Sequence, residues 1–145
     1  MRTTKDSSMT SKEFIAQCKE KRTEHKEQVE VVKYLRKNKI LHYAVPNGAN
    51  KSRTAQRQFS AEGLMAGVPD LCIPVSNKYY HGLYIEMKRR AKTLKSGKKS
   101  VSHTKVSPEQ EKWITELNES GYYAVVCYGE DEAIEVIDEY MENVV

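Results

Sequence analysis

Two short segments carry acidic and basic side chains in a pattern that could bind a metal ion beside a phosphate. Asp70 precedes the apolar run 71–75, and Glu86 and Lys88 lie two residues apart within the apolar run 83–88. Two β-rich runs separated by a polar turn predict an antiparallel hairpin. The hairpin would therefore bring two carboxylates and an ammonium group to neighbouring strands.

Strand periodicity predicts which of these side chains lie together. Alternate residues of a strand point to opposite faces, so Glu86 and Lys88 share one face while Ile85 and Met87 point to the other. A suitable register would bring Asp70 to the face of Glu86. Carboxylate oxygens are the ligands that hard divalent cations prefer, and a lysine beside them can meet a phosphate. The alternative is an ordinary ion pair between Glu86 and Lys88, with Asp70 as a turn residue.

A helix predicted at about 23–37 offers a third acid. Its buried face has the spacing i, i+3, i+4, i+7, formed by Gln28, Val31, Val32 and Leu35. One turn earlier the same face carries Glu24, and Glu27 borders it. A carboxylate directed at a core needs a partner, such as a metal ion or a lysine. The alternative is a glutamate that favours the start of the helix through the helix dipole.

Basic residues are concentrated in two segments of a chain whose formal net charge is +4. The segment 88–105 contains no acid, and the segment 49–57 is also polar and basic. Such local blocks indicate a polyanionic partner, and nucleic acid is the common one; a solvated loop is the alternative. The candidate phosphate-binding residues are Lys51, Arg53, Arg57, Arg89, Arg90, Lys92, Lys98, Lys99 and Lys105.

The predicted elements that position these residues run in the order helix, strand, helix, hairpin, basic loop, helix, strand, helix. A strand at 40–45 ends at a Pro-Asn-Gly turn, and a helix at 54–65 is closed by Gly67. The loop 89–106 has no means of forming a core. After it, Ser107 as N-cap with Gln110 three residues later predicts a helix start. The final elements are an apolar strand at 122–128, expected inside the sheet, and a helix at 131–142.

Composition places the chain among soluble single-domain proteins. It has 145 residues, 39% of them hydrophobic and 30% charged, and no apolar run approaches the ~20 residues of a membrane span. We expect a polar tail with a short helix over residues 1–22 and one domain over 23–145. The polar amino terminus lacks the apolar stretch of a secretory signal. Three widely spaced cysteines, of which Cys72 and Cys127 lie in predicted strands, indicate reduced core thiols and a cytoplasmic protein.

An ordered series of motifs extends the pattern beyond the hairpin. The series is Glu24-x-x-x-Gln28, Pro46-Asn47-Gly48, Gly67-Val68-Pro69-Asp70-Leu71, Glu86-Met87-Lys88 and Ser107-Pro108-Glu109-Gln110 with Trp113. Together these motifs resemble the VRR-NUC domain of the PD-(D/E)xK nuclease superfamily. The resemblance covers about residues 24–140, and the compact size is similar to the standalone bacteriophage members.

The resemblance implies a fold and a set of site residues. The fold is α/β and restriction-endonuclease-like, with a mixed central sheet flanked by helices, a core αβββαβ order and one additional helix. Asp70, Glu86 and the backbone carbonyl of Met87 would bind Mg²⁺, for which Mn²⁺ could substitute. The first-helix acid would be Glu24, supported by Gln28, with Glu27 in reserve. Lys88 would act on the attacking water or the phosphate, and Gln110 matches a glutamine of the family.

The resemblance also implies a function. It is a divalent-metal-dependent endonuclease selective for DNA structure, acting on branched DNA such as four-way (Holliday) junctions in phage replication, recombination and repair. The protein would be a homodimer in the cytoplasm of a bacterial host. The alternative is a DNA-binding module with a nuclease-derived fold that does not cleave.

Overall fold

The computed structural model describes residues 24–46, 52–90, 92–93, 95–100 and 105–145. In this part of the chain, four helices and six strands follow one another in the order α1 (Glu24–Lys37), β1 (Tyr43–Ala44), α2 (Arg53–Ala61), β2 (Leu71–Ile73), β3 (Leu83–Lys88), β4 (Lys92–Thr93), β5 (Lys99–Ser100), α3 (Pro108–Glu119), β6 (Tyr123–Tyr128) and α4 (Glu130–Glu142). The expected amino-terminal helix, Cys18, the Asn47-Gly48 turn and Lys51 lie outside the described residues.

Four strands form a mixed sheet in the order β1-β2-β3-β6. The first two pairings are antiparallel, and β3 pairs with β6 in parallel. Leu71 is opposite Ile85, so the predicted hairpin is confirmed. Continuing that register by one residue places Asp70 opposite Glu86, on the same face of the sheet. The mixed sheet with its flanking helices confirms the predicted α/β fold class.

The core lies between one face of this sheet and the helices α1 and α4. Its fully buried side chains include Val31, Leu35, Leu71, Ile73, Leu83, Ile85, Met87 and Ile137. The alternation predicted for β3 is therefore confirmed: its odd-numbered residues face the helices, and Glu86 and Lys88 point to the opposite face. The apolar face anchors β3 in the core, which holds the charged face in a defined position.

The start of α3 is the capping box expected from the sequence. The backbone amide of Gln110 donates to the Ser107 hydroxyl at 3.2 Å, and the backbone amide of Ser107 donates to the Gln110 side-chain oxygen at 2.9 Å. Pro108 occupies the first helical position. Because the cap occupies the carbonyl end of the Gln110 side chain, the orientation of that side chain is set locally.

Several boundaries differ from the predictions. β1 is confined to two residues, and α2 ends at Ala61 because Gly63 adopts a left-handed conformation (φ +102°) and Leu64 N bonds back to Phe59 O. Within the described residues, β6 lies at the end of the sheet rather than inside it. The basic loop contains the antiparallel pair β4–β5, whose turn includes Gly97 at φ +76°.

The described part of the chain also shows the state of two cysteines and the character of the helices. Cys72 and Cys127 are buried free thiols, as predicted. Burial raises the pKa of the Cys127 thiol to about 12, so this thiol remains protonated and unreactive near neutral pH. None of the helices described here has both the length and the apolar character needed to cross a membrane.

Candidate functional site

Four charged residues are buried in the part of the chain that the structure describes. Three of them are the residues on which the sequence analysis began: Asp70 is 4% exposed, Glu86 1% and Lys88 8%. The fourth is Glu27, which is fully buried. Burial of charged side chains is costly unless they are paired or bind a ligand, so each of the four must have partners that offset the cost.

Asp70, Glu86 and Lys88 come together at the end of the β2–β3 hairpin. The Met87 amide donates to Asp70 Oδ2 at 2.8 Å, which joins Asp70 to the neighbouring strand. Lys88 Nζ lies 3.4 Å from Glu86 Oε1. The two carboxylates and the ammonium group thus lie on one face of the sheet, as the strand periodicity predicted.

Gln110 links the carboxylate and the ammonium group of this site. Its side-chain nitrogen donates to Glu86 Oε1 at 2.5 Å, and its side-chain oxygen accepts from Lys88 Nζ at 3.1 Å. The same oxygen also accepts from the Ser107 amide in the helix cap. The start of α3 therefore holds the charged side chains of Glu86 and Lys88, and the residue that closes the capping box also contacts the candidate site.

Gly67 allows the segment before Asp70 to pass against the start of α3. Its φ is +86°, and a Cβ at this position would lie 2.6 Å from the backbone carbonyl carbon of Glu109 and 2.8 Å from the backbone nitrogen of Gln110. Only glycine tolerates both the conformation and the approach. The sequence predicted that Gly67 ends a helix; in the structure Gly67 makes room for the segment before Asp70 to lie against the start of α3.

The electrostatics of the site favour a cation. Burial, followed by the neighbouring Asp70 carboxylate, raises the pKa of Glu86 to about 8, although Lys88 acts in the opposite direction. Burial of its carboxyl group also raises the pKa of Glu24, with opposition from Lys88 and Arg89 and a contribution from Asp70. Burial is the main cause in both cases, and for Glu86 the Asp70 carboxylate adds to it, so a bound cation would lower both pKa values.

The oxygen donors of Asp70 and Glu86 are of the kind that Mg²⁺ binds. No group of three or more His, Cys, Asp or Glu side chains is arranged to hold a metal in the described residues. Mg²⁺ commonly binds through one or two carboxylates and completes its coordination with water and substrate oxygens. Asp70 and Glu86 would supply two such carboxylates. Glu24 lies within electrostatic range at the exposed start of α1.

Glu27 has different partners from Glu24, although both lie in the first turns of α1. Arg90 Nε donates to Glu27 Oε1 at 2.7 Å, and Arg90 Nη2 donates to Glu27 Oε2 at 3.1 Å. The Glu130 amide at the start of α4 donates to Glu27 Oε2 at 2.7 Å. Glu27, named as the reserve for Glu24, is thus held by Arg90 and α4, while Gln28 is half-buried next to it.

The candidate phosphate-binding residues are distributed unevenly. The exposed ones are Arg53, Arg57, Lys98 and Lys105. Arg89 is half-buried and lies close enough to Glu24 to influence its pKa. The side chains of Lys92 and Lys99 lie outside the described part, as does Lys51. Sequence reasoning missed the ion pair of Arg90, because nothing in a run of basic residues indicates which one pairs with an acid 63 residues away.

Comparison with known proteins places this arrangement in a family. The sequence model of the VRR-NUC domain matches residues 11–131. The chain belongs to the VRR-NUC family. A solved structure titled "VRR_NUC domain protein" is similar to it, with 28% sequence identity and a TM-score of 0.67, over 84% of this chain and 90% of that chain. A search of curated proteins found no match.

Membership of the VRR-NUC family confirms the resemblance drawn from the motifs. The family is one of nucleases, so the match supports a nuclease-type function with DNA as the substrate. The similarity in fold extends over most of both chains, and the hairpin with its charged edge lies inside the matched range. The VRR-NUC match therefore covers Glu24, Asp70, Glu86, Lys88 and Gln110 together.

Proposed function

We propose that this VRR-NUC protein is a divalent-metal-dependent DNA endonuclease whose active site is formed by Asp70, Glu86 and Lys88. The observation that carries the proposal is the burial of two carboxylates side by side, one with its pKa raised to about 8, next to a lysine oriented by Gln110. Carboxyl groups whose pKa is strongly raised by burial and by a neighbouring carboxylate are typical of active sites.

Asp70 and Glu86 would hold Mg²⁺ or Mn²⁺, with the Met87 backbone carbonyl as the remaining protein ligand and Glu24 at the outer side. The bound ion supplies Lewis-acid chemistry to water and to the phosphate. The Met87 amide fixes Asp70 through the 2.8 Å hydrogen bond, and the Gln110 side chain fixes Glu86. Both carboxylates are thereby held in one orientation before a substrate arrives, which favours a rigid site.

Lys88 would stabilise the negative charge that develops on the phosphate, or orient the attacking water. Its ammonium group lies between Glu86 and Gln110, at 3.4 Å and 3.1 Å. The body of the side chain is almost fully buried, so the charge is held rather than mobile. A fixed cation at a site shielded from water stabilises a transition state more than a solvated one.

The finer features of the function are part of the same proposal. The exposed basic residues of α2 and of the loop after β3 would bind the DNA backbone. The motif resemblance implies four of these features. They are a branched substrate such as a four-way junction, a homodimer, a phage role in the host cytoplasm and membership of the PD-(D/E)xK superfamily. Each of these has its own test in substrate choice, in oligomeric state or in a genomic context.

The proposal is tested by incubating the protein with four-way, flap and linear DNA in Mg²⁺, in Mn²⁺ and in EDTA. We expect cleavage that needs a divalent ion and that Asp70→Asn and Lys88→Met each reduce by about 10³-fold or more, the range for loss of one preorganised electrostatic group. Glu139→Gln, an exposed acid on α4, is the matched control and should leave cleavage unchanged. Full activity of both site variants would contradict the assignment. Binding without cleavage in either metal would favour a DNA-binding module.

A further inference from the structure

A second buried charge cluster lies beside the site and joins three elements that are distant in sequence. Glu27 of α1, Arg90 just after β3 and the start of α4 meet at one point. The Glu27 side chain is fully inaccessible to solvent, whereas that of Arg90 is 41% exposed. Two hydrogen bonds from one guanidinium to one carboxylate fix the relative orientation of the two groups as well as their distance.

The rest of the cluster is built around Arg90. Its Nη2 also lies 3.5 Å from Glu130 Oε1 and 3.7 Å from Asp131 Oδ2. Gly129 has φ +92°, and a Cβ there would lie 3.1 Å from Cβ of Arg90 and 3.6 Å from Glu27 Oε2. Its amide donates to the Lys88 carbonyl at 2.8 Å. Glycine at position 129 therefore provides the space in which Arg90 reaches Glu27.

The cluster is connected to the site through two short stretches of backbone. Glu24 precedes Glu27 by three residues, so the two occupy neighbouring positions on the surface of α1. Lys88 precedes Arg90 by two residues, and its carbonyl is bonded to Gly129. From the first turn of α1, the Glu27 side chain bonds both Arg90 and the start of α4, so these contacts hold the turn against the end of β3 and against α4.

We propose that Arg90 is a positioning residue of the metal site and does not bind DNA phosphate. Its paired hydrogen bonds to Glu27 hold the first turn of α1 against the end of β3. This contact sets the position of the turn that carries Glu24, which lies within electrostatic range of Asp70 and Lys88. The inference rests on the proposed function, because it assigns a role at the metal site, and it separates Arg90 from its neighbour Arg89, which stays a candidate phosphate-binding residue.

The two adjacent arginines form a matched pair for the test, Arg90→Gln against Arg89→Gln. Mn²⁺ binding is measured by isothermal titration without DNA, and DNA binding is measured in EDTA over a series of salt concentrations. We expect Arg90→Gln to weaken Mn²⁺ binding about fivefold or more and to lower kcat, with KM for DNA and the salt dependence unchanged. Arg89→Gln should instead weaken DNA binding and reduce the salt slope by about one, without weakening Mn²⁺ binding.

Two further variants show whether the effect passes through the ion pair. Glu27→Gln should reproduce the effect of Arg90→Gln on Mn²⁺ binding. The double variant should be no worse than either single one, since residues that act as one contact are not additive. Arg90→Lys keeps the charge but loses the fork of two hydrogen bonds, so it should recover only part of the Mn²⁺ affinity.

Hydrogen exchange at residues 28–31, whose amides bond to carbonyls of the first turn of α1, provides the readout if Arg90→Gln does not fold. In Arg90→Lys we then expect faster exchange at these residues together with weaker Mn²⁺ binding. Wild-type Mn²⁺ affinity in a folded Arg90 variant, with a salt slope reduced by about one, would overturn the inference and make Arg90 a phosphate-binding residue. That result would leave the proposed nuclease intact. No Mn²⁺ binding by the wild-type protein would instead refute the proposed metal site itself.

Discussion

Two buried charge clusters lie at the same end of the molecule and differ in how well their charges are compensated. In the cluster of Glu27 and Arg90, the carboxylate receives two hydrogen bonds from a guanidinium and one from the start of α4. In the cluster of Asp70, Glu86 and Lys88, one ammonium group faces two buried carboxylates, and the pKa of Glu86 is raised to about 8. Both oxygens of Glu27 thus accept hydrogen bonds from protein donors, whereas Glu86 shares one ammonium group with a second buried carboxylate.

One kind of buried charge holds the fold together, and the other has the electrostatic properties of a functional site. A buried carboxylate with several donors contributes to a defined structure, and loss of its partner is costly. A buried carboxylate with a raised pKa and a like-charged neighbour is unfavourable for folding by itself. Such an arrangement is typical of functional sites. Glu27 and Glu86 are both almost fully buried, yet they belong to these two different classes.

The largest difference is expected in stability. Arg90→Ala leaves Glu27 buried without its guanidinium and should lower the free energy of unfolding by about 3 kcal/mol. Asp70→Asn should leave it unchanged or raise it slightly in EDTA, because it removes the repulsion with Glu86 while abolishing cleavage. Urea denaturation in EDTA measures both. The comparison fails if Asp70→Asn destabilises the protein as much as Arg90→Ala does.

Gly67 should be more sensitive than another glycine with a similar backbone. Gly67→Ala forces a Cβ to within 2.6 Å of the backbone of α3, whereas a Cβ at Gly63 meets nothing within 4 Å, and both residues have positive φ. We expect about 1 kcal/mol of strain in Gly63→Ala and clearly more, with slower cleavage, in Gly67→Ala. Thermal unfolding and cleavage rates provide the measurement. Equal effects in the two variants would show that the approach to α3 does not position the site.

The pH dependence of the stability of the metal-free protein should reveal the raised pKa of Glu86. The pKa of Glu86 is raised from 4.5 to about 8, so the folded state binds this proton more tightly than the unfolded state does. The resulting stabilisation is fully present below pH 4.5 and is lost as the pH rises to about 8. Wild-type protein in EDTA should therefore lose stability from pH 5 to pH 8 relative to Glu86→Gln.

Mg²⁺ provides the control for this pH effect. Added at pH 8, it should restore stability to the wild-type protein and not to Glu86→Gln, because only the former retains both carboxylates. Denaturation curves at four pH values with and without the ion are sufficient. Identical pH profiles for the two proteins in EDTA would mean that Glu86 is not the group with the raised pKa.

The local parts of the fold and of the site were predictable from the order of the residues. The capping box at Ser107 and Gln110, the hairpin and the two faces of β3 depend on spacings of two to four residues, which backbone geometry converts directly into position. The ordered motifs also identified the family. Predictions failed where the neighbours of an element decide its limits, as for the short β1, the early end of α2 and the position of β6 at the end of the described sheet.

The sequence by itself determined which side chains could form a metal site and which strands would carry them. Only the tertiary structure decided how the charges are shared. It paired Arg90 with Glu27 across 63 residues, left Glu24 exposed within electrostatic range of Asp70 and Lys88, and brought Gln110 between Glu86 and Lys88. The physical reason is that the energy of a charge depends on burial and on the distances to other charges, and folding sets both of these for residues far apart in the chain.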